Sequence, residues 1–190
     1  MKRVFSFLIL FALIASYSHC FAEDKPFSPS LTKKTVGVVI VGPVDFRTPD
    51  FLEIAVTQLL KKFDPTLYNL SVGGEPQNRY QKYWDDKGFL TEQPATKSDL
   101  LAFSQASSYD YVLFLVINPP TTETQKRNRY KDQTRVSLEV MAMYVDSNQQ
   151  NIISKLSSVQ EDDSLYSPLR AKRGAFQKVL GYISLNLGLK

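Results

Sequence analysis

The chain is poor in the side chains that most enzymes and metal sites use. Its 190 residues include one cysteine and one histidine, Cys20 and His19. A single Cys cannot form a disulfide within the chain. Both residues lie in an amino-terminal stretch whose pattern predicts removal. Without them the chain has neither imidazole nor thiol. That excludes Ser-His-Asp and Cys-His catalysis, thiolate chemistry, and zinc, copper or haem held by the usual side chains. No P-loop or dinucleotide fingerprint is present, and neither cofactor nor metal is expected. An excess of one charge is missing too. There are 23 basic and 19 acidic residues, too even a balance for the concentrated basic surface that nucleic acid calls for.

What is present begins with an address. Lys2 and Arg3 precede an apolar stretch from Val4 to Ala15, broken only by Ser6, and Cys20-Phe21-Ala22 then leads into Glu23-Asp24. A basic start, a short apolar centre and a small-x-small end describe a secretory signal peptide, residues 1–22. The run is short of the roughly 20 apolar residues of a membrane-spanning helix. Two alternatives stay open: an uncleaved anchor, and lipidation at Cys20. Cleavage after Ala22 removes two basic residues and no acidic one, so the formal charge falls from +4 to +2. The reading places the protein outside the cytoplasm, periplasmic or extracellular, with membrane association as a variant.

Residues 23–34, with Pro26 and Pro29, read as a flexible lead-in, and 35–190 as a single domain. Hydrophobic residues at 43% against 22% charged are enough for a packed core. Thr35 to Gly42 is a near-continuous β-branched run, suited to a strand buried on both faces. Thr48-Pro49-Asp50 opens a helix, with Phe51, Ile54, Ala55, Leu59 and Phe63 along one side. A second strand covers 66–72, ended by Gly73-Gly74, and Glu75 to Asp86 is helical with Gly88 just past its end. Thr96 and Asp99 form a capping box before Leu100, Leu101 and Phe103. Tyr109 to Ile117 is the strongest strand signal, closed by Pro119-Pro120.

Polar residues 121–133 read as a loop. Val136–Val145 and Asn151–Val159 form a hairpin, Glu161-Asp162-Asp163 a solvated turn, and a closing amphipathic helix starts near Pro168. The order β-α-β-α-α-β-β-β-α predicts an α/β fold: one mixed sheet with helices on its faces.

Three segments carry a resemblance. They are Val36-Gly37-Val38-Val39-Ile40-Val41 with its following helix, Ser107-Ser108-Tyr109-Asp110-Tyr111-Val112-Leu113 after a helix, and Tyr144-Val145-Asp146-Ser147-Asn148 before a return strand and terminal helix. Over residues 35–190 this resembles the small bacterial envelope α/β domains of the curli-secretion channel protein, the TolB amino-terminal domain and the lipoprotein activators of penicillin-binding proteins. The resemblance implies an adaptor or assembly role in the cell envelope, without catalysis. The stretch from Gly73 to Gly88 also resembles a segment of secreted bacterial proteins that carry no assigned function.

Among the candidate sites, Tyr80, Tyr83 and Trp84 make an aromatic stripe at i, i+3 and i+4, with Arg79, Lys82 and Lys87 beside it. Such a stripe either packs on a sheet or anchors a partner, since Trp and Tyr dominate interface hot spots. Lys126 to Lys131, with Arg135 beyond, is the densest basic patch; Arg127 and Arg129 are its candidate contacts for an anionic partner. These observations point to a secreted, non-catalytic binding or adaptor domain. Its partner would be an envelope protein or a polysaccharide, met by Tyr80, Tyr83 and Trp84 with Arg127 and Arg129 as electrostatic accessories. One alternative is a carboxylate-dependent glycoside hydrolase, using Glu75 with Asp86 or Asp85 with Asp86. The other is a domain that binds anionic membrane surfaces through Lys126–Arg135.

Overall fold

A computed structural model of the chain describes residues 32–88, 96–128 and 131–189. Residues 1–22, expected to be a signal peptide, and most of the expected lead-in lie outside the described residues. Six strands form one mixed sheet: β1 (Lys34–Val41), β2 (Tyr68–Val72), β3 (Tyr111–Ile117), β4 (Thr121–Asn128), β5 (Lys131–Asp146) and β6 (Asn151–Ser164). Four α-helices accompany them: α1 (Pro49–Leu59), α2 (Gly74–Lys87), α3 (Lys97–Ala106) and α4 (Pro168–Asn186). The α/β class, the mixed sheet and the alternation of elements are those expected from the residues.

The β-branched run is the centre of the sheet. β1 pairs in parallel with β2 on one side and β3 on the other, and β5 pairs antiparallel with β3 and β6. Val36, Val38 and Ile40 point into one core, shared with Phe51, Ala55 and Leu59 of α1 and Phe176, Val179 and Ile183 of α4. Val39 points the other way, toward Tyr80 of α2 and Leu100 and Phe103 of α3. A strand covered on both faces has no solvated side, so its apolar residues run on without alternating.

Local chemistry sets the ends. Thr96 and Asp99 complete the capping box of α3. Thr48 precedes α1 as its cap residue, but its hydroxyl donates to the Asp45 carbonyl and leaves the helix amides alone. Asp110 fastens the start of β3 to the start of β1. Its carboxylate accepts from both the amide and the hydroxyl of Thr35, at 2.8 and 2.9 Å, and those bonds lower its pKa. In the β5–β6 turn, Asp146 accepts from the amides of Asn148 and Gln149, and Gln150 adopts a φ of 52°.

The carboxyl-terminal strands depart from the sequence reading. Residues 121–128, expected as part of a loop, form β4; β5 starts at 131 and not near 136; and Glu161-Asp162-Asp163 continue β6. β3 and β4 lie end to end along the same edge of β5, with Ile117 opposite Val140 and Thr121 opposite Ser137. Pro119 and Pro120, which have no N–H to give a ladder, mark the break between them. Residues 121–126 of β4 are exposed on both faces, so this stretch carries no hydrophobic alternation. What holds it is cross-strand pairing, with Glu123 opposite Arg135 and Arg135 opposite Asp163.

α4 closes the larger core. Asp162 on β6 reaches Lys178, and its carboxylate occupies the space where a side chain on Gly174 would begin. Gly42, at the end of β1, is just as tightly placed. Its φ is +129°, and a Cβ there would run into the Ile117 carbonyl oxygen of β3. Gly42→Ala is therefore expected to cost on the order of 1–3 kcal/mol through backbone strain and overpacking. Urea unfolding checks this; a loss below about 0.5 kcal/mol, the scatter of neutral surface changes, contradicts it.

Candidate functional site

α2 leaves β2 through Gly73, whose φ of 62° favours glycine and whose Cα is closely approached by the Leu52 methyls. This tight exit brings the helix back over β1 and β2. Because β2 stops at Val72, the amide of Ile40 has no strand to meet, and Gln77 of α2 accepts its hydrogen bond at 3.0 Å.

The three aromatics of α2 divide by depth. Tyr80 is 3% exposed, with its ring edge-on to Phe103 at 5.2 Å and to Trp84 at 5.5 Å. Burial pushes its phenol up to about 12. Tyr80 is thus a core residue and cannot be the partner contact expected from the stripe; the i, i+3, i+4 spacing puts it on the line that faces the sheet. Tyr83 and Trp84 are half-buried. Their rings meet at 5.9 Å and 64°, and Phe103 backs Tyr83 at 5.6 Å. The Lys87 ammonium lies 5.7 Å from the centre of the Tyr83 ring, a cation–π distance. Leu101 of α3 packs against the same cluster. Together they form an aromatic shelf at the seam of α2 and α3.

Arg79 is engaged elsewhere. It bonds Glu75 twice, at 3.0 and 2.6 Å, donates to the Ser108 hydroxyl at 2.6 Å, and lies 5.9 Å from the Tyr109 ring centre. It ties α2 to the chain entering β3. Tyr109 in turn fills the space over Gly37, where a Cβ would come within 2.7 Å of the ring. Arg47, which the sequence pattern did not single out, donates to the Gly42 carbonyl at 3.0 Å, and burial lowers its pKa. Its Nε and the Gln77 amide nitrogen are buried without a hydrogen-bond partner.

The described residues of the basic patch lie in strands, apart from this shelf. Lys126 and Arg127 belong to β4, which among the described residues pairs with β5 alone, whereas α2 packs on β1 and β2. Arg129 lies outside the described residues. Lys126 is opposite Asp132, and Arg135 faces Glu161 at 4.0 Å, so acidic residues interleave the cations.

The carboxylates proposed for glycoside hydrolysis are not brought together. Glu75 and Asp86 are eleven residues apart on one helix, about 16 Å at 1.5 Å per residue, beyond the ~5–9.5 Å that the chemistry uses. Glu75 is also held by Arg79, and Asp85 accepts from Gln81. A shallow groove between α1 and α4 is lined by Gln58, Lys61, Asp162, Gly174, Gln177 and Lys178. Its charges pair internally, Lys61 with Gln58 and Lys178 with Asp162. Among the described residues, no group of three His, Cys, Asp or Glu could hold a metal ion, and no helix is long and apolar enough to cross a membrane.

No family model matches the sequence, and no curated protein matches it. Solved structures do resemble it. Lipoprotein GNA1162 from Neisseria meningitidis is 18% identical, covering 80% of this chain and 99% of that one, with a TM-score of 0.43. A minor lipoprotein from Acinetobacter baumannii is 15% identical over 83% and 92%, TM-score 0.37. The LpoB C-terminal domain from Salmonella enterica is 12% identical over 69% and 85%, TM-score 0.37. All three are bacterial proteins, and two of them are named as lipoproteins.

The buried phenol of Tyr80 has a measurable consequence. Folding favours its neutral form, so that contribution to stability is complete below the ordinary tyrosine pKa of about 10. It is lost as pH rises toward 12. Burial also raises Tyr109 and Tyr144, which add to the alkaline decline. Unfolding free energies measured from pH 8 to pH 12 should fall across this window, and less steeply in Tyr80→Phe. Identical slopes for the two proteins would remove Tyr80 from the account.

Proposed function

We propose that this chain is an exported, non-catalytic binding domain of the cell envelope, freed of residues 1–22 and working as an adaptor. One observation carries the reading: Tyr83 and Trp84 are held half-exposed by Phe103 and Leu101, with Lys87 at their rim. A rigid aromatic pair costs little conformational entropy to present, and it can stack on a sugar ring or fill a pocket on a protein. A protein partner is the first choice and an envelope polysaccharide the second. Arg127, in β4, and Arg129 supply a separate cationic contact for the same partner.

Trp84 is the chain's one tryptophan, so its fluorescence reports directly on the shelf. Envelope proteins and peptidoglycan fragments that bind should shift or quench that emission. Tyr83→Ala should weaken binding by about thirtyfold, the effect of losing roughly 2 kcal/mol at a hot spot. Pull-downs with wild type and with a Tyr83→Ala/Arg127→Ala variant should return different partners. Identical sets, with both proteins folded, would defeat this surface.

A further inference from the structure

The last strand of the sheet is open along its outer side. β6 runs for 14 residues and pairs with β5 on one side; among the described residues no strand lies on the other. The ladder fixes which of its backbone groups face out. The Glu139 carbonyl accepts from the Asn118 amide on the far side of β5, and Glu139 is opposite Val159. Val159 is therefore a position that spends no backbone bond on β5. Glu161, two residues on, offers its carbonyl outward to Lys178. By the same alternation Lys155 and Ser157 also turn their amides and carbonyls outward. Natural edges are blunted by proline, bulges, brevity or charged side chains, and of these the 155–161 stretch carries only the charges of Lys155 and Glu161. β2, at the opposite edge, is five residues long. β6 has no proline, and its one register shift, opposite Tyr144/Val145, lies outside 155–161.

A second feature runs beside this edge. Lys178 reaches β6 from one flank of α4, and Tyr182 and Leu185 follow it at i+4 and i+7 on that flank. They are 42% and 81% exposed. An apolar stripe thus borders an outward row of backbone donors and acceptors that, among the described residues, no strand meets.

We propose that a second copy of this chain docks here, β6 against β6 in antiparallel register about a two-fold axis at Ser158. That register sets Lys155 opposite Glu161 of the partner copy and Ser157 opposite Val159, each pair having outward backbone groups. Opposite charges then meet twice on one sheet face, and the two helices bring Tyr182 and Leu185 to the same axis. The charge pattern singles out a second copy because it complements itself about one residue, as a two-fold contact requires. The Glu161 carbonyl keeps its bond from Lys178 and has a second lone pair for the Lys155 amide of the other copy. The two sheets become one. This inference is independent of the Tyr83–Trp84 shelf, which belongs to other elements.

The test is the solution mass of the full chain, purified from an exporting host, across a micromolar-to-millimolar series. A mass rising to twice that of the chain is expected, with amides of 155–161 gaining protection from hydrogen exchange in step. Leu185→Glu, on an exposed helix position, should return the monomer with unchanged melting. Val159→Pro should do the same, since it removes an outward amide that β5 does not use. Lys155→Glu should weaken association at least tenfold, and Lys155→Glu/Glu161→Lys should restore it. A wild type that stays monomeric throughout overturns the proposal. So does a dimer that Leu185→Glu and Lys155→Glu leave intact, or a double exchange that restores nothing.

Discussion

Val36, Val38 and Ile40 point into one core and Val39 into another, so β1 has no side left for water. Everything else in the fold answers that requirement. A parallel strand must be covered on both faces, and here the chain covers them in turn. The connection from β1 to β2 lays α1 on one side, and the connection from β2 to β3 lays α2 and α3 on the other. α4 completes the first layer, where Phe176 meets Phe46 and Phe51 at 5.4 Å each.

The two layers are unequal, and the candidate surfaces arise from that inequality. The α1/α4 layer extends along the sheet as far as β6. The α2/α3 layer covers only the start of it: Met143 is buried, Met141 half-buried and Glu139 exposed, in step along β5. Tyr83 and Trp84 lie on this smaller layer, deep enough to be fixed by Phe103 and shallow enough to touch solvent. Beyond it β4 and the uncovered face of β6 extend the sheet, held to β5 by cross-strand pairing.

Much of the site's frame was legible because its signals are local. The Gly73-Gly74 exit, the Thr96–Asp99 capping box and the left-handed Gly88 after α2 each follow from the conformations that a few neighbouring residues permit. The depth of each aromatic was not. Tyr80, Tyr83 and Trp84 share one stripe, yet only packing against Phe103 and Phe114 separates the buried ring from the two half-exposed ones. Arg47 carried no signal at all, because its role depends on the Gly42 carbonyl and on the neighbouring α2.

Hydrophobic periodicity and turn chemistry, both read within a dozen residues, determined the α/β class, the order of its elements and the doubly buried strands β1 and β3. Composition determined the absence of imidazole and thiol beyond residue 20. Tertiary structure alone decided that residues 121–128 are a strand, since a sheet edge solvated on both faces is specified by its partner's backbone. It also decided which aromatics reach solvent and which edge of the sheet stays open, because both depend on what the rest of the chain leaves uncovered.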